Sequence, residues 1–272
     1  MSSTLVDGVP GESIGSTDRG LHYGDGLFET ISCHDGRARW LSLHLERLRH
    51  GCERLRLPFH DYRVLEQEIA ALADGQQRCL VKAIITRGLA TRRGYGPAGD
   101  ERPTRIVSRH PWPQTPQRAT PGFRVGISGV RLGTNPALAG LKHLNRLEQV
   151  LAQIALAEDG LDEVLMMSSA DRVIGGSMSN VFFADQSGLF TPLLTDCGVA
   201  GVMRRLVLQT AGKLGIQVHE RAVACAELNV VRAAFVTNVR WGLQPVDALA
   251  GRALERTDHA QRLWNLIDAA RS

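Results

Sequence analysis

The chain has 272 residues, of which 43% are hydrophobic and 22% are charged, and its mean hydropathy is −0.11. This composition is typical of a globular protein with one large or two modest cores, and no apolar run approaches the roughly 18 residues that cross a membrane. The net charge of +4 is small for this length, so it argues against a nucleic-acid-binding protein and suits an anionic small-molecule substrate. The N-terminal residues lack the basic and apolar regions of a secretory signal, so we expect neither export nor a membrane location.

Cysteine and histidine patterns exclude two further classes of site. The five cysteines are odd in number, widely spaced and without a C-x-x-C pair, which predicts a reducing cytoplasm and no disulfide framework. The nine histidines form no metal-ligand motif, so no metal site is predicted.

The first part of the chain predicts a hairpin followed by two helices. Leu27–His34 and Arg37–Leu41 have the composition of strands, and Asp35-Gly36 between them is typical of a two-residue hairpin turn. Ser42 and Asp61 are the expected N-caps of the two helices. Their expected inward positions are Leu41, Leu45, Leu48, Cys52 and Leu55 in the first helix, and Val64, Leu65, Ile69 and Leu72 in the second.

Two strands and a long loop follow these helices. Cys79–Arg87 and Thr104–His110 have the composition of strands, and the connection Gly88–Pro103 is rich in glycine and arginine. A loop of this length inside a compact domain usually has a function or is mobile, and less often serves only to connect two strands.

Four prolines between positions 111 and 121 predict a linker between two domains. We therefore expect a smaller N-terminal domain over 1–115, a linker over 116–121 and a larger C-terminal domain over 122–272. In the second domain the patterns predict a strand at Phe123–Val130 and helices at Leu144–Glu158, from Gly201 to Leu214, and at Asp258–Ala270. Short strands are expected at Glu163–Ser168, Arg172–Ile174, Val181–Asp185, Leu189–Thr191, Gln217–Val223 and Ala233–Asn238.

Lysine is rare, since the chain contains only Lys82, Lys142 and Lys213. Lys142 lies in AGLKHLNRLEQVLA, among apolar residues at a predicted junction between a loop and a helix. Apolar surroundings lower the pKa of a lysine and make its amine available as a nucleophile or base. A surface lysine at the start of a helix is the structural alternative.

Several segments in the same order along the chain resemble the fold-type IV pyridoxal-phosphate enzymes and, among these, the aminodeoxychorismate lyases. The segments are DRGLHYGDGLFETI, HLERL, TRG followed by RRGYG, GLKHLNRLEQVLA, SNVFF, GVAGVMRR and FVTN. The resemblance covers nearly the whole chain. It implies a two-domain fold with α+β and α/β character, like that of the D-amino acid aminotransferases, with pyridoxal 5'-phosphate as cofactor and a homodimeric assembly.

The resemblance also implies which residues perform the chemistry and bind the phosphate. Lys142 would bind the cofactor as a Schiff base and then act as the proton-transfer base, with Thr30 nearby. The N–H groups of Val202 and Met203, at the start of a helix, would bind the cofactor phosphate. Arg47 would add a charge-assisted contact to that phosphate.

Further residues match the family's second phosphate-side contact and its substrate side. Asn238 corresponds to the phosphate-side contact, and an ordinary turn residue is its alternative. Arg93 and Tyr95 are candidates to bind the carboxylates of a dicarboxylate substrate, a task that suits a planar guanidinium group. His143 would either face the substrate or pack in the core, and Asn145 would contact the cofactor or cap the next helix.

Gly175 is the one clear departure from the family's pattern. The family has a glutamate there, whose carboxylate keeps the pyridine nitrogen of the cofactor protonated and strengthens the ring as an electron sink. Asp171 and Glu163 are offset along the predicted strands, so neither is an obvious substitute. Tolerance of the loss, an altered enzyme, or another acid or water in the gap all remain open. We expect cofactor binding with reduced turnover, and a higher kcat for Gly175→Glu if the strand accepts the side chain.

The resemblance therefore predicts a lyase that converts 4-amino-4-deoxychorismate to 4-aminobenzoate and pyruvate, a step towards folate. The alternative is an aminotransferase of the same fold that acts on D-amino or branched-chain amino acids, since the lysine chemistry is shared. A nucleic-acid-binding protein is disfavoured, because basic residues are not interleaved with aromatic ones.

Overall fold

The computed structural model describes residues 3–11, 13–113, 122–185, 188–256, 262–263 and 265–267. The chain forms two compact units. The first comprises the described residues up to 113 together with Leu141–Asn145, and the second comprises 122–140 and the chain from Arg146 onwards. The predicted linker 116–121 lies outside the described residues.

The first unit contains an antiparallel six-stranded sheet. Its strands are β1 (Thr4–Val6), β2 (Val9–Pro10), β3 (Gly26–His34), β4 (Arg37–Ala38), β5 (Arg78–Thr86) and β6 (Thr104–Pro111). Their order across the sheet is β2-β1-β6-β5-β3-β4. The predicted hairpin turn is confirmed, because Asp35 and Gly36 both have positive φ angles, 49° and 75°.

Helices α1 (Arg19–Tyr23), α2 (Leu41–Arg54) and α3 (Tyr62–Ala73) complete the first unit. The predicted strand Arg37–Leu41 is too long, because Trp40 has a φ of 52° and the helix begins at Leu41. Ser42 is therefore inside the helix and is not its N-cap. In α3 Leu65, Ile69 and Leu72 are buried as predicted, whereas Val64 is exposed.

The second unit is built on a mixed nine-stranded sheet. Its strands are β7 (Phe123–Leu132), β8 (Glu163–Ser168), β9 (Val173–Gly176), β10 (Asn180–Asp185), β11 (Gly188–Pro192), β12 (Val218–Arg221), β13 (Ala233–Asn238), β14 (Gly242–Leu249) and β15 (Arg252–Ala253). The order is β12-β11-β10-β13-β14-β7-β8-β9, and β15 pairs with β14. Strands β7 and β8 are parallel, as are β14 and β7, and β11 and β12. A core of buried side chains that includes Val125, Leu165, Phe183 and Val236 covers the sheet.

Two helices of the second unit carry the motifs of interest, α4 (Leu147–Asp159) and α5 (Val202–Lys213). A single turn of 3-10 helix lies at Cys225–Asn229. Helix α4 begins three residues later than predicted, because the chain before it is extended. The predicted helix Asp258–Ala270 lies largely outside the described residues, although 262–263 and 265–267 are helical. In the described part of the chain no helix is both long and apolar enough to cross a membrane.

Candidate active site

Lys142 lies on a short extended segment that adds to the edge of β3. The carbonyl oxygen of Lys142 accepts a hydrogen bond from the N–H of Phe28 at 3.0 Å, and the N–H of Leu144 donates to Gly26 at 3.1 Å. His143 is thus directly opposite Leu27. This pairing is an isolated bridge, and α4 begins at Leu147, so the junction of loop and helix lies three residues later than predicted.

Lys142 shares one face of the sheet with Phe28, Thr30 and Lys82. Its Nζ atom lies 4.2 Å from the centre of the Phe28 ring. Thr30 lies two residues along β3 from Phe28, and Lys82 is the cross-strand neighbour of Thr30. The Nζ atom of Lys82 lies 5.3 Å from the centre of the same ring. The structure therefore gathers two of the three lysines and the predicted threonine on one half-buried face. Lys82 was missed in the sequence, although the scarcity of lysine was a signal for it.

The opposite face of β3 carries a buried charged cluster of Glu29, His44 and Arg47. His44 Nδ1 donates to Glu29 at 2.6 Å, and Arg47 donates from Nε at 2.7 Å and from Nη2 at 2.5 Å to the two carboxylate oxygens. Burial favours a higher pKa for Glu29, but the charge of Arg47 and the hydrogen bonds from His44 and Arg47 outweigh it and lower the pKa to about 2. Burial also lowers the pKa of His44, despite the opposing effect of Glu29. Glu29 is hence ionised and His44 neutral near pH 7.

This cluster fixes the predicted phosphate contact Arg47 in place. Two of its five N–H donors are directed at Glu29, and its side chain, which projects from α2, is half-buried. A contact with the cofactor phosphate stays a prediction.

His143 and Asn145 differ from Lys142 in their surroundings. Because His143 is opposite the buried Leu27, and successive strand residues point to opposite faces, His143 lies on the face away from Lys142. The geometry therefore favours the packing role for His143. Asn145 donates from Nδ2 to the carbonyl oxygen of Gly24 at 3.4 Å, at the end of α1, and does not cap α4, whose N-cap is Arg146.

The predicted substrate residues Arg93 and Tyr95 lie on the exposed loop between β5 and β6. Tyr95 is 85% exposed, and its ring packs edge-on against Tyr23 at 5.4 Å. Arg93 is also exposed, and it has no hydrogen-bond or ion-pair partner among the residues that the structure describes. Its guanidinium is thus available to an anionic ligand.

In the second unit, the N-terminus of α5 has the geometry expected of a phosphate-binding turn. The N–H of Gly201 donates to Asn180 Oδ1 at 3.1 Å, and Asn180 Nδ2 donates to the carbonyl oxygen of Val199 at 2.9 Å. A Cβ atom at position 201 would lie only 2.1 Å from Asn180 Oδ1, which explains the glycine. No acceptor for the N–H groups of Val202 or Met203 occurs among the described residues. These are the orphan donors of a helix start, and they suit an anion.

Gly175 lies beside this turn, on the side of β9 that faces Asn180. A Cβ atom at position 175 would lie 2.9 Å from the carbonyl oxygen of Ser179 and 3.9 Å from Asn180 Nδ2. That carbonyl accepts a hydrogen bond from the N–H of Gly176 at 2.8 Å, so it belongs to the tight turn between β9 and β10. This close approach is a structural reason for glycine at position 175, independent of any role in binding the cofactor.

Glu163 lies on the opposite side of β9 from Gly175. Its carboxylate lies 2.7 Å from where a Cβ atom of Gly176 would be, which is the other face of β9. There it accepts hydrogen bonds from the hydroxyl groups of Ser177 and Ser179 and from the N–H of Val164. Burial raises the pKa of Glu163, although these hydrogen bonds oppose the rise.

Asn238 holds two turns of the second unit together. Its Oδ1 accepts from the N–H groups of Arg240 at 3.0 Å and Trp241 at 2.8 Å, in the turn from β13 to β14. Its Nδ2 donates to the carbonyl oxygen of Met178, in the turn from β9 to β10, at 3.3 Å. The side chain therefore has a structural role, and its predicted contact with the cofactor stays a prediction.

Comparison with known proteins identifies the family. A family model described as class IV amino-transferase matches residues 26–249. The chain belongs to the class IV aminotransferase family. Enzymes of this family use pyridoxal phosphate, as the sequence resemblance implied.

Three relatives within the class IV aminotransferase family are especially informative. The chain is 32% identical over 249 residues to an aminodeoxychorismate lyase of Vibrio harveyi, which covers 90% of both chains. It is 28% identical over 264 residues to a bifunctional aminodeoxychorismate lyase and D-amino acid transaminase of Mycobacterium tuberculosis, with 91% of this chain and 89% of the relative covered. A crystal structure of a 4-amino-4-deoxychorismate lyase from Pseudomonas aeruginosa matches at 40% identity with a TM-score of 0.92, covering 98% of both chains. The predicted fold-type IV architecture is thereby confirmed.

Each unit has one group of residues whose chemistry suits pyridoxal phosphate. The uncapped N–H groups of Val202 and Met203 suit its phosphate, and the half-buried Lys142, packed on an aromatic ring, suits its aldehyde. At position 175, where the sequence resemblance implies a carboxylate for the ring nitrogen, this chain has glycine.

Proposed function

We propose that this protein is a pyridoxal-phosphate-dependent lyase that converts 4-amino-4-deoxychorismate to 4-aminobenzoate, a folate precursor, and pyruvate. The observation that carries the proposal is the arrangement of Lys142 with Phe28 and Thr30 on one face of the β3 edge. Of the relatives named above, the two that are more than 30% identical to this chain, each over at least 90% of its length, are both lyases for this substrate.

Lys142 is the residue proposed to perform the chemistry. Pyridoxal phosphate, when bound, supplies an electron-withdrawing ring that stabilises the electron pair left on the substrate after loss of a proton. The amine of Lys142 removes that proton from the carbon that carries the amino group. Pyruvate then leaves as its enol form and the ring becomes aromatic, which supplies much of the driving force. Thr30, on the same face, orients a proton or a water molecule beside Lys142.

Residues of both units are proposed as cofactor contacts. Lys142 and Arg47 come from the first unit, and Val202, Met203 and Asn238 come from the second. The helix start at Gly201 favours a phosphate through its N–H groups and the positive end of its dipole. Gly175 lies at the position of the ring-nitrogen partner and contributes only backbone there.

Basic side chains of the first unit are proposed to bind the two carboxylates of the substrate. Arg93 is exposed on the loop, and Lys82 lies on the face of Lys142, so both suit an anion. Tyr95 beside Arg93 would add a hydroxyl group. His143 has the weakest support among the predicted substrate residues, because it lies on the other face of the segment.

An aminotransferase acting on D-amino acids is the second candidate, favoured by the bifunctional relative. The two activities share the lysine chemistry and differ in what binds the substrate. Parallel assays of the purified protein with 4-amino-4-deoxychorismate, and with D-alanine or a branched-chain amino acid plus 2-oxoglutarate, separate them. We expect release of 4-aminobenzoate to be much the faster reaction. Steady transamination without 4-aminobenzoate release would contradict the lyase.

We also propose a homodimer, supported by an apolar surface on α4. Leu147, Val150, Leu151 and Ile154 recur at helical spacing on one side of this helix, and Leu147 is 78% exposed. An exposed apolar stripe of this kind is typical of an interface between subunits.

A cytoplasmic location is proposed from the cysteines. Cys33, Cys52, Cys79, Cys197 and Cys225 are all free thiols, and the first four are buried. Free thiols in this number suit a reducing compartment.

A further inference from the structure

The buried guanidinium of Arg19 joins the start of the chain to the tip of the Gly88–Pro103 loop. Its side chain is only 4% exposed. Nε donates to Asp25 at 2.9 Å, Nη2 donates to the carbonyl oxygen of Tyr95 at 2.5 Å, and Nη1 donates to that of Gly94 at 3.4 Å. One side chain therefore holds both a carboxylate and two consecutive loop carbonyls.

Arg19 also contacts the first residue of the loop directly and the ring of Tyr95 through Tyr23. The N–H of Arg19 donates to the carbonyl oxygen of Gly88 at 2.8 Å. The guanidinium also lies over the ring of Tyr23, 5.0 Å from its centre, and that ring packs against Tyr95. The start and the tip of the loop are thus attached to one residue, although the loop itself is exposed.

Asp25 has a second arginine partner that does not touch the loop tip. Arg87 donates to Asp25 from Nε at 2.8 Å and from Nη2 at 3.1 Å. Its other hydrogen bonds are to the carbonyl oxygens of Leu55 at 2.9 Å and Arg56 at 2.8 Å, after the end of α2. The two arginines share a carboxylate, but only Arg19 contacts Gly94 and Tyr95.

We infer that Arg19 is a positioning residue that holds the Gly88–Pro103 loop in one conformation and so presents Arg93 and Tyr95 to the substrate. Gly94, which has a φ of 103°, makes the turn that brings the two carbonyls to the guanidinium. A loop ordered in advance spares the substrate the entropic cost of ordering it on binding. The substrate part of the inference rests on the proposed function, whereas the holding of the loop does not.

Limited trypsin digestion without substrate tests the holding of the loop. Trypsin cuts after Arg92 and Arg93, at the loop tip, and mass spectrometry follows these two bonds separately from the rest of the chain. In Arg19→Lys the shorter cation keeps the charge but cannot reach Asp25 and both carbonyls, so we expect cleavage about tenfold faster than in wild type. Arg87→Lys is the matched control. After correction for any difference in the rate of global unfolding, we expect its rate of cleavage after Arg92 and Arg93 to lie within about twofold of that of wild type.

Kinetics test the consequence for the substrate. Arg19→Lys should raise KM for 4-amino-4-deoxychorismate about tenfold with kcat within about twofold of wild type, because only the ordering of the loop is lost. Unchanged cleavage in folded Arg19→Lys overturns the inference, and so does faster cleavage with an unchanged KM. If wild type has no lyase turnover but cleavage still accelerates, the proposed function fails and the holding of the loop is supported. If Arg19→Lys does not fold, Tyr23→Leu weakens the same attachment and should accelerate the same cleavages, and failure to do so overturns the inference.

Discussion

At the scale of single residues, Gly175 shows how local geometry constrains a proposed cofactor-binding position. A Cβ atom there meets the Ser179 carbonyl oxygen at 2.9 Å, and a backbone atom can move only with its turn. We therefore expect Gly175→Ala to lower the free energy of unfolding by about 1–3 kcal/mol, the usual cost of overpacking. Urea unfolding measures it. Gly212→Ala on α5, where a Cβ atom meets nothing within 4 Å, is the control and should be neutral or stabilising.

The Gly175→Ala variant is also the reference against which the effect of adding an acid at position 175 on kcat is measured. Gly175→Glu carries the same steric cost plus the carboxylate. If the acid limits turnover, Gly175→Glu should have a higher kcat than Gly175→Ala, in spite of equal strain. Equal kcat values for the two folded, cofactor-loaded variants would show that the missing acid is not limiting.

From the lowered pKa of Glu29 we expect the free energy of unfolding to fall in acid. Its pKa is lowered from 4.5 to about 2 in the folded protein, so its ionised form stabilises the fold fully above pH 4.5. This contribution is lost as the pH falls from 4.5 towards 2 and amounts to about 3 kcal/mol. Unfolding free energies of wild type and Glu29→Gln should therefore converge by that amount between pH 6 and pH 2. Glu66→Gln, at an exposed position of α3, is the control. A difference between wild type and Glu29→Gln that stays constant with pH would mean that Glu29 is not ionised in its cluster.

At the scale of elements, the β5–β6 loop is where substrate recognition is expected. Arg93→Ala should raise KM for the dicarboxylate at least tenfold, because a charge-assisted contact contributes about 1.5–3 kcal/mol. Retention of pyridoxal phosphate, measured by dialysis and absorbance, should be unchanged. Arg92→Ala is the control, since Arg92 donates to the carbonyl oxygen of Pro97 within the loop. Loss of cofactor from Arg93→Ala would place this arginine on the cofactor instead.

The elements that the sequence predicted best are those with strong local signals. Strands β3, β5, β6, β8 and β13 and helix α5 were located within one or two residues, because apolar runs and turn glycines mark them. The extended segment at Lys142 was not predicted, because two hydrogen bonds to β3 fix it, and these are non-local. Strand β14 was missed for a different reason, since its interior proline and glutamine interrupt the usual local pattern of a strand.

Candidate site residues were found from family motifs, but their surroundings required the structure. The motif located Lys142 and Thr30, and cross-strand pairing then placed Lys82 beside them. The motif did not show that Arg47 would be paired with Glu29 or that His143 would face away from Lys142. Such facts depend on which face of a strand each side chain takes, and a one-residue change in register reverses them.

At the scale of the whole molecule, the apolar stripe of α4 predicts a dimer that one charge can disrupt. Leu151→Arg places a cation at the centre of the stripe, so we expect a dimer in wild type and a monomer in the variant by light scattering after size exclusion. Val230→Arg, at an isolated exposed apolar position in the same unit, is the control and should remain dimeric. A dimeric Leu151→Arg would exclude α4 from the interface.

The central claim, that Lys142 binds pyridoxal phosphate, can be tested directly because the chain has only three lysines. Borohydride reduction of the cofactor-loaded protein attaches the cofactor permanently to the lysine that holds it, and peptide mass spectrometry then identifies that lysine. We expect the added mass on the peptide that contains Lys142, with Lys82 and Lys213 unmodified, and no attachment or 4-aminobenzoate release in Lys142→Ala. Attachment to Lys82 or Lys213, or lyase turnover by Lys142→Ala close to that of wild type, would contradict the account.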